Sequence, residues 1–268
     1  MKVFDKWLQE QPVEQPAGEL HYEALVESGR LEDEELLDQL GHEVARNYLN
    51  PSELALVFDD LGAPDVADYL RTNKFSSRTA VRHGDFGEIV TAALYRRVRR
   101  WCVPILKLRY KQTPNQAVQG TDVLAFRFRQ TPPVIAVPEV KTRATRKREL
   151  GKEAYDSLEK VLDRLDESIH FAMVRCAERN HQFLVRHLAG LLRNPRTERV
   201  VERHMVFVHD ARTWKDDVVD LLAGVVNQRT ELTVVKIRGL QEFIARVYRA
   251  AETGAGPRRP DAREDTAA

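Results

Sequence analysis

Glu139 and Lys141 stand two positions apart at the end of a strongly apolar segment, residues 134–142. Side chains alternate between the two faces of a β-strand, so both residues share one face with Ile135 and Val137. That face is apolar at its start and charged at its end, as expected for a strand that leaves the core and enters a polar cleft. This is the only acid-x-Lys tripeptide among the 11 lysines of the chain.

Asp122 follows Gly120-Thr121 and begins the preceding strand candidate, residues 121–129. If the two strands are neighbours joined by a hairpin, Asp122 and Glu139 converge. Two carboxylates held close together repel one another, which is costly without a cation between them. Hard oxygen ligands suit Mg²⁺ or Mn²⁺, and the backbone carbonyl of Val140 is a further candidate ligand. The pattern therefore predicts a divalent-metal site where the two strands meet.

Lys141 and Glu88 complete the candidate site. Hydrolysis of a phosphodiester builds negative charge on the phosphoryl oxygens and needs an activated water. A metal lowers the pKa of its bound water and polarises the phosphate. An ammonium at Lys141 would stabilise the developing charge or orient the nucleophile. Glu88, on the helix before the strands, is predicted to ligate the metal directly or through water.

Each of these residues also has a purely structural interpretation. The segment Asp85-Phe86-Gly87-Glu88 fits a capping box, in which Asp85 caps a helix and Glu88 reaches back to it. Asp122 is compatible with a turn aspartate after Gly-Thr. Glu139 and Lys141 are compatible with the exposed polar end of a strand.

Charge is distributed unevenly along a chain whose formal net charge is +1. Residues 1–88 contain 19 acids and 8 Lys or Arg, whereas residues 89–148 contain two acids and 14 Lys or Arg. The two acids in this basic block are Asp122 and Glu139. A neutral protein with a concentrated basic segment is expected to bind a polyanion locally. The residues predicted to contact a DNA phosphate backbone are Lys107, Arg109, Lys111, Arg143, Arg146, Lys147 and Arg148.

The spacing of apolar residues predicts a mixed α/β fold in which helices pack on a sheet. A helix is expected to begin at Gly84-Asp85, and three strands follow at residues 102–111, 121–129 and 134–142. Pro138 cannot donate to a sheet, so the third strand is expected to be distorted or at an edge there. The later segments are predicted to be a helix from Gly151 to about Leu192 with a break near Asn180, a strand at 204–210, a helix at 216–227, a strand at 231–238 and a helix at 239–251.

Three regions are predicted along the chain. Residues 1–80 are expected to form an acidic helical extension, with breaks at Asn50-Pro51 and Gly62-Ala63-Pro64. Residues 81–252 are expected to form the main domain. Residues 253–268 are expected to be a disordered tail because they have almost no apolar content. The opposed charges suggest that the first region docks a partner or shields the basic cleft until activation.

The composition excludes several other classes. No apolar run approaches the length that spans a membrane. The N-terminus lacks a hydrophobic signal core, so a cytoplasmic location is expected. Cys102 and Cys176 cannot form a disulfide framework. The glycines form no P-loop, so the chain itself is not expected to hydrolyse ATP.

The segments Gly84-Asp85-Phe86-Gly87-Glu88, Gly120-Thr121-Asp122 and Glu139-Val140-Lys141 together resemble the E…GxD…ExK pattern of PD-(D/E)XK nucleases. That resemblance implies a core of order α-β-β-β-α-β. More narrowly, the block from RHGDFGE through YKQTPNQAVQGTDVLAF to PEVKTR resembles the HamA family, the nuclease subunits of Hachiman anti-phage systems. The resemblance implies that the protein acts in bacterial defence together with a superfamily 2 helicase, HamB, and that its substrate is DNA. The resemblance covers roughly residues 80–145 with specific motifs, and not the first 80 residues.

We therefore expect a Mg²⁺-dependent DNA endonuclease that acts with a helicase in a bacterial defence complex. Two alternatives stay open. One is another PD-(D/E)XK endonuclease of the restriction, repair or transposon type. The other is a nucleic-acid-binding adaptor whose nuclease site is vestigial.

Overall fold

The computed structural model describes residues 3–49, 66–116, 118, 120–193 and 198–253. These residues form a mixed α/β fold, in which helices cover both faces of a six-stranded sheet, and this confirms the predicted class. The predicted breaks at Asn50-Pro51 and Gly62-Ala63-Pro64, and residues 254–268 of the predicted tail, lie outside the described residues. Among the described helices, none combines enough length with enough apolar character to span a bilayer.

The sheet has a parallel centre and antiparallel edges. Its strands are β1 (Leu8–Gln11), β2 (Leu20–Glu27), β3 (Ala125–Arg127), β4 (Val134–Arg143), β5 (Val200–Asp210) and β6 (Thr230–Ile237). They lie in the order β1-β2-β6-β5-β4-β3. The four central strands pair in parallel, whereas β1 pairs antiparallel with β2 and β3 pairs antiparallel with β4.

Helices connect and cover these strands. In the described part of the chain they are α1 (Val3–Trp7), α2 (Asp33–Tyr48), α3 (Val66–Asn73), α4 (Thr79–Ala93), α5 (Leu150–Asp163), α6 (Leu165–Glu178), α7 (Gln182–Arg193), α8 (Asp217–Ala223) and α9 (Leu240–Thr253). A π-helical turn, Leu94–Val98, extends α4, and a 3₁₀ turn spans Lys107–Tyr110.

Each face of the sheet has its own apolar core. Val206 and Val208 of β5 belong to a cluster with α2, α4 and α9. Met205 and Phe207 point the other way and belong to a cluster with α5, α6, α7 and α8. Parallel strands covered on both faces carry nearly continuous apolar runs, which explains the sequence of β5.

Several predicted elements are confirmed. The strands at β4, β5 and β6 and the helices α8 and α9 lie within or close to their predicted limits. The long helix predicted from Gly151 is divided into α5, α6 and α7. Its predicted break near Asn180 is confirmed, because Asn180 adopts a positive φ of 57°. A second break, at Arg164, was not predicted.

The prediction of a purely helical N-terminal region is wrong for residues 8–11 and 20–27. Both segments are strands of the main sheet, and β2 pairs in parallel with β6 from Leu20 opposite Thr230 onward. This pairing joins segments about 200 residues apart, so local acidity and periodicity do not reveal it. Whether residues 1–80 act as a separate functional region stays a prediction.

The predicted strand at residues 102–111 is also wrong. Cys102 forms an isolated bridge with Phe126, and the chain then leaves the sheet and closes the 3₁₀ turn at Lys107–Tyr110. Pro104 lacks an N–H donor, and the lysines further along are drawn into buried ion pairs. In the described residues two named strands, rather than three, lie between α4 and α5, so the expected α-β-β-β-α-β order is not confirmed.

Candidate functional site

The hairpin of β3 and β4 sets the relative positions of Asp122 and Glu139. Ala125 opposes Ala136, and the chain just before β3 stays beside β4, because Asp122 bonds to the backbone of Val140. Among the described residues, β3 pairs only with positions 134–136 of β4, whereas β5 pairs with β4 along its whole length. Pro138 therefore lies where one side of β4 is an edge, as predicted.

Asp122 closes this edge with its side chain. Its Oδ2 accepts a hydrogen bond of 3.0 Å from the backbone N–H of Val140. Its Oδ1 accepts one of 3.2 Å from Nζ of Lys107. The interpretation as a simple turn aspartate is too narrow, because both oxygens contact groups distant in sequence. The carbonyl of a strand residue points to the same side as its N–H, so the Val140 carbonyl also faces the Asp122 side.

Glu139 and Lys141 lie on the opposite face of β4 from α4. They follow Ile135 and Val137, which pack against α5 and α6. Nζ of Lys141 donates to Oε1 of Glu139 at 2.6 Å. The Glu139 side chain is only 8% exposed, so the interpretation as an exposed strand end is wrong for this residue. Burial and the nearby Asp122 carboxylate raise the pKa of Glu139, although Lys141 opposes the shift.

Glu88 approaches from the other face of the sheet. Helix α4 begins at Thr79 rather than at Gly84, so Glu88 is in its middle and the capping-box interpretation is wrong. Its Oε2 lies 3.5 Å from Nζ of Lys107. That oxygen is buried and accepts no hydrogen bond from the residues that the structure describes. Burial raises the pKa of Glu88 well above its usual range, Lys107 opposes this, and the charge of Asp122 adds to it.

Gly87 allows α4 to come this close to β4. A Cβ atom at this position would lie 2.0 Å from Oγ1 of Thr142 and 3.0 Å from Cγ1 of Val140. Only a residue without a side chain fits that contact. The glycine of the GDFGE segment therefore serves helix–strand packing and places the neighbouring Glu88 beside Asp122.

Lys107 is the site residue whose position the sequence did not predict. Its side chain is 7% exposed, and its Nζ contacts both Asp122 and Glu88. Burial alone would lower the pKa of Lys107, but the two carboxylates outweigh that effect and raise it. Alternation along residues 107–111 suggested an exposed basic face, and no local signal distinguishes a lysine that is paired inside the fold.

Lys111 and Arg109 are also turned inward. Lys111 donates to Oδ2 of Asp85 at 2.5 Å, and Tyr48 donates to the same oxygen. Arg109 is buried and donates from Nε to the backbone carbonyl of Arg46 at 3.1 Å. Together with Lys107, these side chains do not fit the predicted role of exposed phosphate contacts. They hold the 3₁₀ turn against α2 and α4.

The other four predicted DNA contacts lie at or just after the end of β4. Arg143, Arg146 and Arg148 are exposed and Lys147 is half-buried. Arg146 pairs with Asp217, and Lys147 pairs with Glu153 at 2.6 Å. They therefore keep the accessibility that a phosphate contact requires, and their binding role stays a prediction.

A cleft of about 400 Å³ adjoins the site on the Glu88 and Asp122 side. It is lined by Glu88, Lys107 and Asp122, and by residues of α5 and α6 that include Lys160 and Phe171. The α5–α6 side of the cleft is largely polar, since Arg164, Glu167 and Ser168 also line it. The arrangement provides room for a substrate group beside two of the carboxylates.

The donors are of the chemical type that hard divalent cations prefer. Carboxylate oxygens are available from Glu88, Asp122 and Glu139, and the Val140 carbonyl faces Asp122. Burial and the charge of Asp122 raise the pKa values of Glu88 and Glu139, and a bound cation would oppose both effects. Within the described residues, no three acidic, histidine or cysteine side chains are already gathered for a metal. Lys107 lies between two of the candidate ligands.

Comparison with known proteins was consistent with the motifs. No curated protein matches the chain. The model of the family described as HamA matches residues 1–251, which includes the N-terminal region that the motif resemblance did not cover. Because this match spans nearly the whole chain, the protein belongs to the HamA family.

Proposed function

We propose that this protein is a Mg²⁺-dependent DNA endonuclease that acts with a superfamily 2 helicase of the HamB type. Membership of the HamA family suggests a component of Hachiman defence. The proposal adds the chemistry, the metal and the partner. Mn²⁺ is expected to substitute for Mg²⁺ because both prefer oxygen ligands. The PD-(D/E)XK assignment of the core is part of the same proposal.

One observation carries the proposal above the others. Asp122 accepts a hydrogen bond of 3.0 Å from the backbone N–H of Val140, the neighbour of Glu139, and Glu139 is in contact with Lys141 at 2.6 Å. Two carboxylates beside an ammonium, in the second half of β4 and next to a cleft, suit phosphodiester hydrolysis. Glu88 adds a third carboxylate from α4.

The residues have distinct expected roles. In hydrolysis the oxygen of a water molecule bonds to phosphorus, the bond to the leaving oxygen breaks, and that oxygen takes up a proton. Lys141 would stabilise the negative charge on the phosphoryl oxygens or orient the attacking water. Glu139, Asp122, Glu88 and the Val140 carbonyl would hold the metal. When bound, Mg²⁺ supplies charge neutralisation and lowers the pKa of a coordinated water.

The exposed basic residues after β4 provide the path proposed for DNA. Arg143, Arg146, Lys147 and Arg148 follow directly from the strand that carries Glu139 and Lys141. Each phosphate contact adds affinity that falls with salt concentration. Binding through these residues would place a backbone phosphate near the site.

A plasmid cleavage assay with purified protein and its partner helicase tests the proposal. We expect cleavage with Mg²⁺ and none with EDTA. Lys141→Ala should lower the rate by about 10²–10³-fold, the usual loss when one charge-stabilising group is removed. Lys152→Ala, at an exposed lysine on α5, is the matched control and should leave the rate within about twofold.

The same assay separates the alternatives. DNA binding without cleavage under any metal and partner condition would favour an adaptor with a vestigial site. Cleavage that is indifferent to the helicase would favour another kind of PD-(D/E)XK endonuclease. A partner is included because an inhibited nuclease would be inactive alone.

A further inference from the structure

The ammonium of Lys107 occupies a buried position between two candidate metal ligands. Its Nζ lies 3.2 Å from Oδ1 of Asp122, 3.5 Å from Oε2 of Glu88 and 3.5 Å from the carbonyl of Gly120. All three contacts are to oxygens. The Lys107 ammonium is therefore a cation bound by the same oxygens that a divalent ion would use.

Contacts made by neighbouring residues hold Lys107 in this position. Lys107 is the first residue of the 3₁₀ turn Lys107–Tyr110. The turn is anchored to α2 through Arg109 and the carbonyl of Arg46, at 3.1 Å. Lys111, immediately after the turn, is anchored to α4 through Asp85 at 2.5 Å. A surface lysine loses its partner at little cost, whereas this one is directed inward by contacts on both sides.

We propose that Lys107 is an internal counter-ion that competes with the divalent cation for Glu88 and Asp122. The inference rests on the proposed metal-dependent function and deepens it. A divalent ion entering between these carboxylates must displace the ammonium or share its ligands. Lys107 therefore lowers the affinity for metal and keeps the carboxylates neutralised before metal arrives.

The competition predicts an effect of opposite sign to that of an ordinary ligand. Removing a residue that helps to hold a metal weakens binding. Removing the Lys107 ammonium should strengthen metal binding, because Glu88 and Asp122 would lose the cation that now pairs with them. The sign of the change thus distinguishes a competitor from a residue that only supports the site.

Calorimetric titration of the full-length protein with Mn²⁺ alone tests this, without any measurement of cleavage. Lys107→Met should lower the Kd for Mn²⁺ by roughly tenfold or more, in line with coupling between close charge pairs. Lys107→Gln, which keeps an amide donor for Asp122, should lower it in the same direction. Melting curves recorded without metal establish that each variant is folded.

Lys160→Met is the matched control. Lys160 lines the same cleft, and its substitution makes the same change of net charge. We expect its Kd for Mn²⁺ to stay within about twofold of wild type, because only the long-range charge effect remains. A similar gain in Lys160→Met would mean that net charge, and not the Lys107 contact, sets the affinity, and would overturn the proposal.

Two further outcomes would also overturn it, and they are distinguishable. If wild type binds Mn²⁺ and both Lys107 variants bind equally or more weakly, the counter-ion inference fails while the metal site stands. If neither wild type nor any folded variant binds Mn²⁺, the proposed function fails together with the inference. Tighter binding of Mn²⁺ by both Lys107 variants than by wild type would support the metal site and the counter-ion inference together.

Discussion

Glu88, Asp122 and Glu139 are all carboxylates, but their sets of contacts differ. Glu139 is paired with Lys141, Asp122 bridges Lys107 and the backbone of Val140, and Glu88 has one buried oxygen that accepts no hydrogen bond from the described residues. Nζ of Lys107 lies 3.5 Å from that oxygen, an ion pair without a close hydrogen bond, so a nearer cation would stabilise this buried carboxylate further. Glu88 is therefore a stronger candidate ligand than its place in a GDFGE segment indicates.

Glu88→Gln separates this interpretation from a role in helix stability. We expect cleavage to fall by about 10–100-fold, the range seen when a supporting group at a metal site is removed. The melting temperature should not fall, because a neutral amide is less costly to bury than a carboxylate. Cleavage assays and melting curves of the same preparation provide the comparison. A lower melting temperature with unchanged cleavage would restore a structural role for Glu88.

The sequence predicts the identities of the site residues better than their contacts. Glu139, Lys141 and Asp122 were predicted from strand alternation and a hairpin, and in the structure Lys141 contacts Glu139 and Asp122 contacts the adjacent Val140. Lys107 was predicted to be an exposed DNA contact, because nothing local shows that Asp122 and Glu88 would surround it. A buried ion pair depends on three segments meeting, and a spacing pattern within one segment cannot reveal it.

At the scale of elements, the distance between α4 and β4 controls the site. Glu88 lies on α4, and Glu139 and Lys141 lie on β4. The helix approaches the strand at Gly87, where an added Cβ would be 2.0 Å from Thr142 Oγ1. The relative placement of the carboxylates therefore depends on a residue that takes no part in chemistry.

Gly87→Ala is expected to push α4 away from β4. The substitution should lower the free energy of unfolding by about 1–3 kcal/mol, the usual cost of overpacking. It should also lower cleavage, since Glu88 moves with the helix. Urea unfolding and the cleavage rate are the measurements.

Gly84→Ala in the same helix is the control for that substitution. Nothing lies within 4 Å of a Cβ built at Gly84, and the residue is exposed. Alanine there should raise stability by about 0.5–1 kcal/mol through helix propensity alone. Equal effects of the two substitutions would show that the close approach at Gly87 is unimportant.

Elements formed by local pattern were predicted, and elements that depend on distant pairing were not. The apolar runs of β5 and β6 and the amphipathic α9 were visible in the sequence. Strand β2 was not, since its parallel partner β6 lies at the other end of the chain. The segment after Cys102 has strand-like alternation, yet Pro104 and the inward lysines favour a turn.

Across the whole molecule, some acidic residues of the N-terminal region form ion pairs with arginines of the basic block. Glu43 of α2 is buried and pairs with Arg97 at 2.7 Å and with Arg96 at 3.4 Å. Glu23 of β2 pairs with Arg99. The acidic region thus binds the basic block within the same fold. Shielding of the DNA path and docking of a partner stay predictions.

Glu43→Gln tests how much this internal pairing stabilises the fold. Burial alone would raise the pKa of Glu43, but Arg97, Arg96 and Arg46 outweigh it and lower the pKa. A carboxyl whose pKa is lowered by folding stabilises the fold above its unfolded pKa. This stabilisation is lost as the pH falls through the lowered value. At neutral pH we expect Glu43→Gln to lower the free energy of unfolding by about 2–3 kcal/mol, and to lower it less near pH 3.

Urea unfolding at both pH values measures that difference. Glu34→Gln, at an exposed position of the same helix, is the control and should change stability by less than about 0.5 kcal/mol. If Glu43→Gln lowered the free energy of unfolding equally at both pH values, charge pairing would not be the source of the stabilisation. A truncation of residues 1–80 is less informative, because it removes β1 and β2 from the sheet.

The most direct test of the central claim is the Mg²⁺-dependent plasmid cleavage rate of Glu139→Ala in the presence of the partner helicase. We expect a loss of at least about 100-fold in a variant that melts at or above the wild-type temperature, since a buried carboxylate has been removed. Glu149→Ala, at an exposed glutamate just before α5, should cleave at the wild-type rate. Cleavage by Glu139→Ala at the rate of Glu149→Ala would contradict the claim that these carboxylates form a nuclease site.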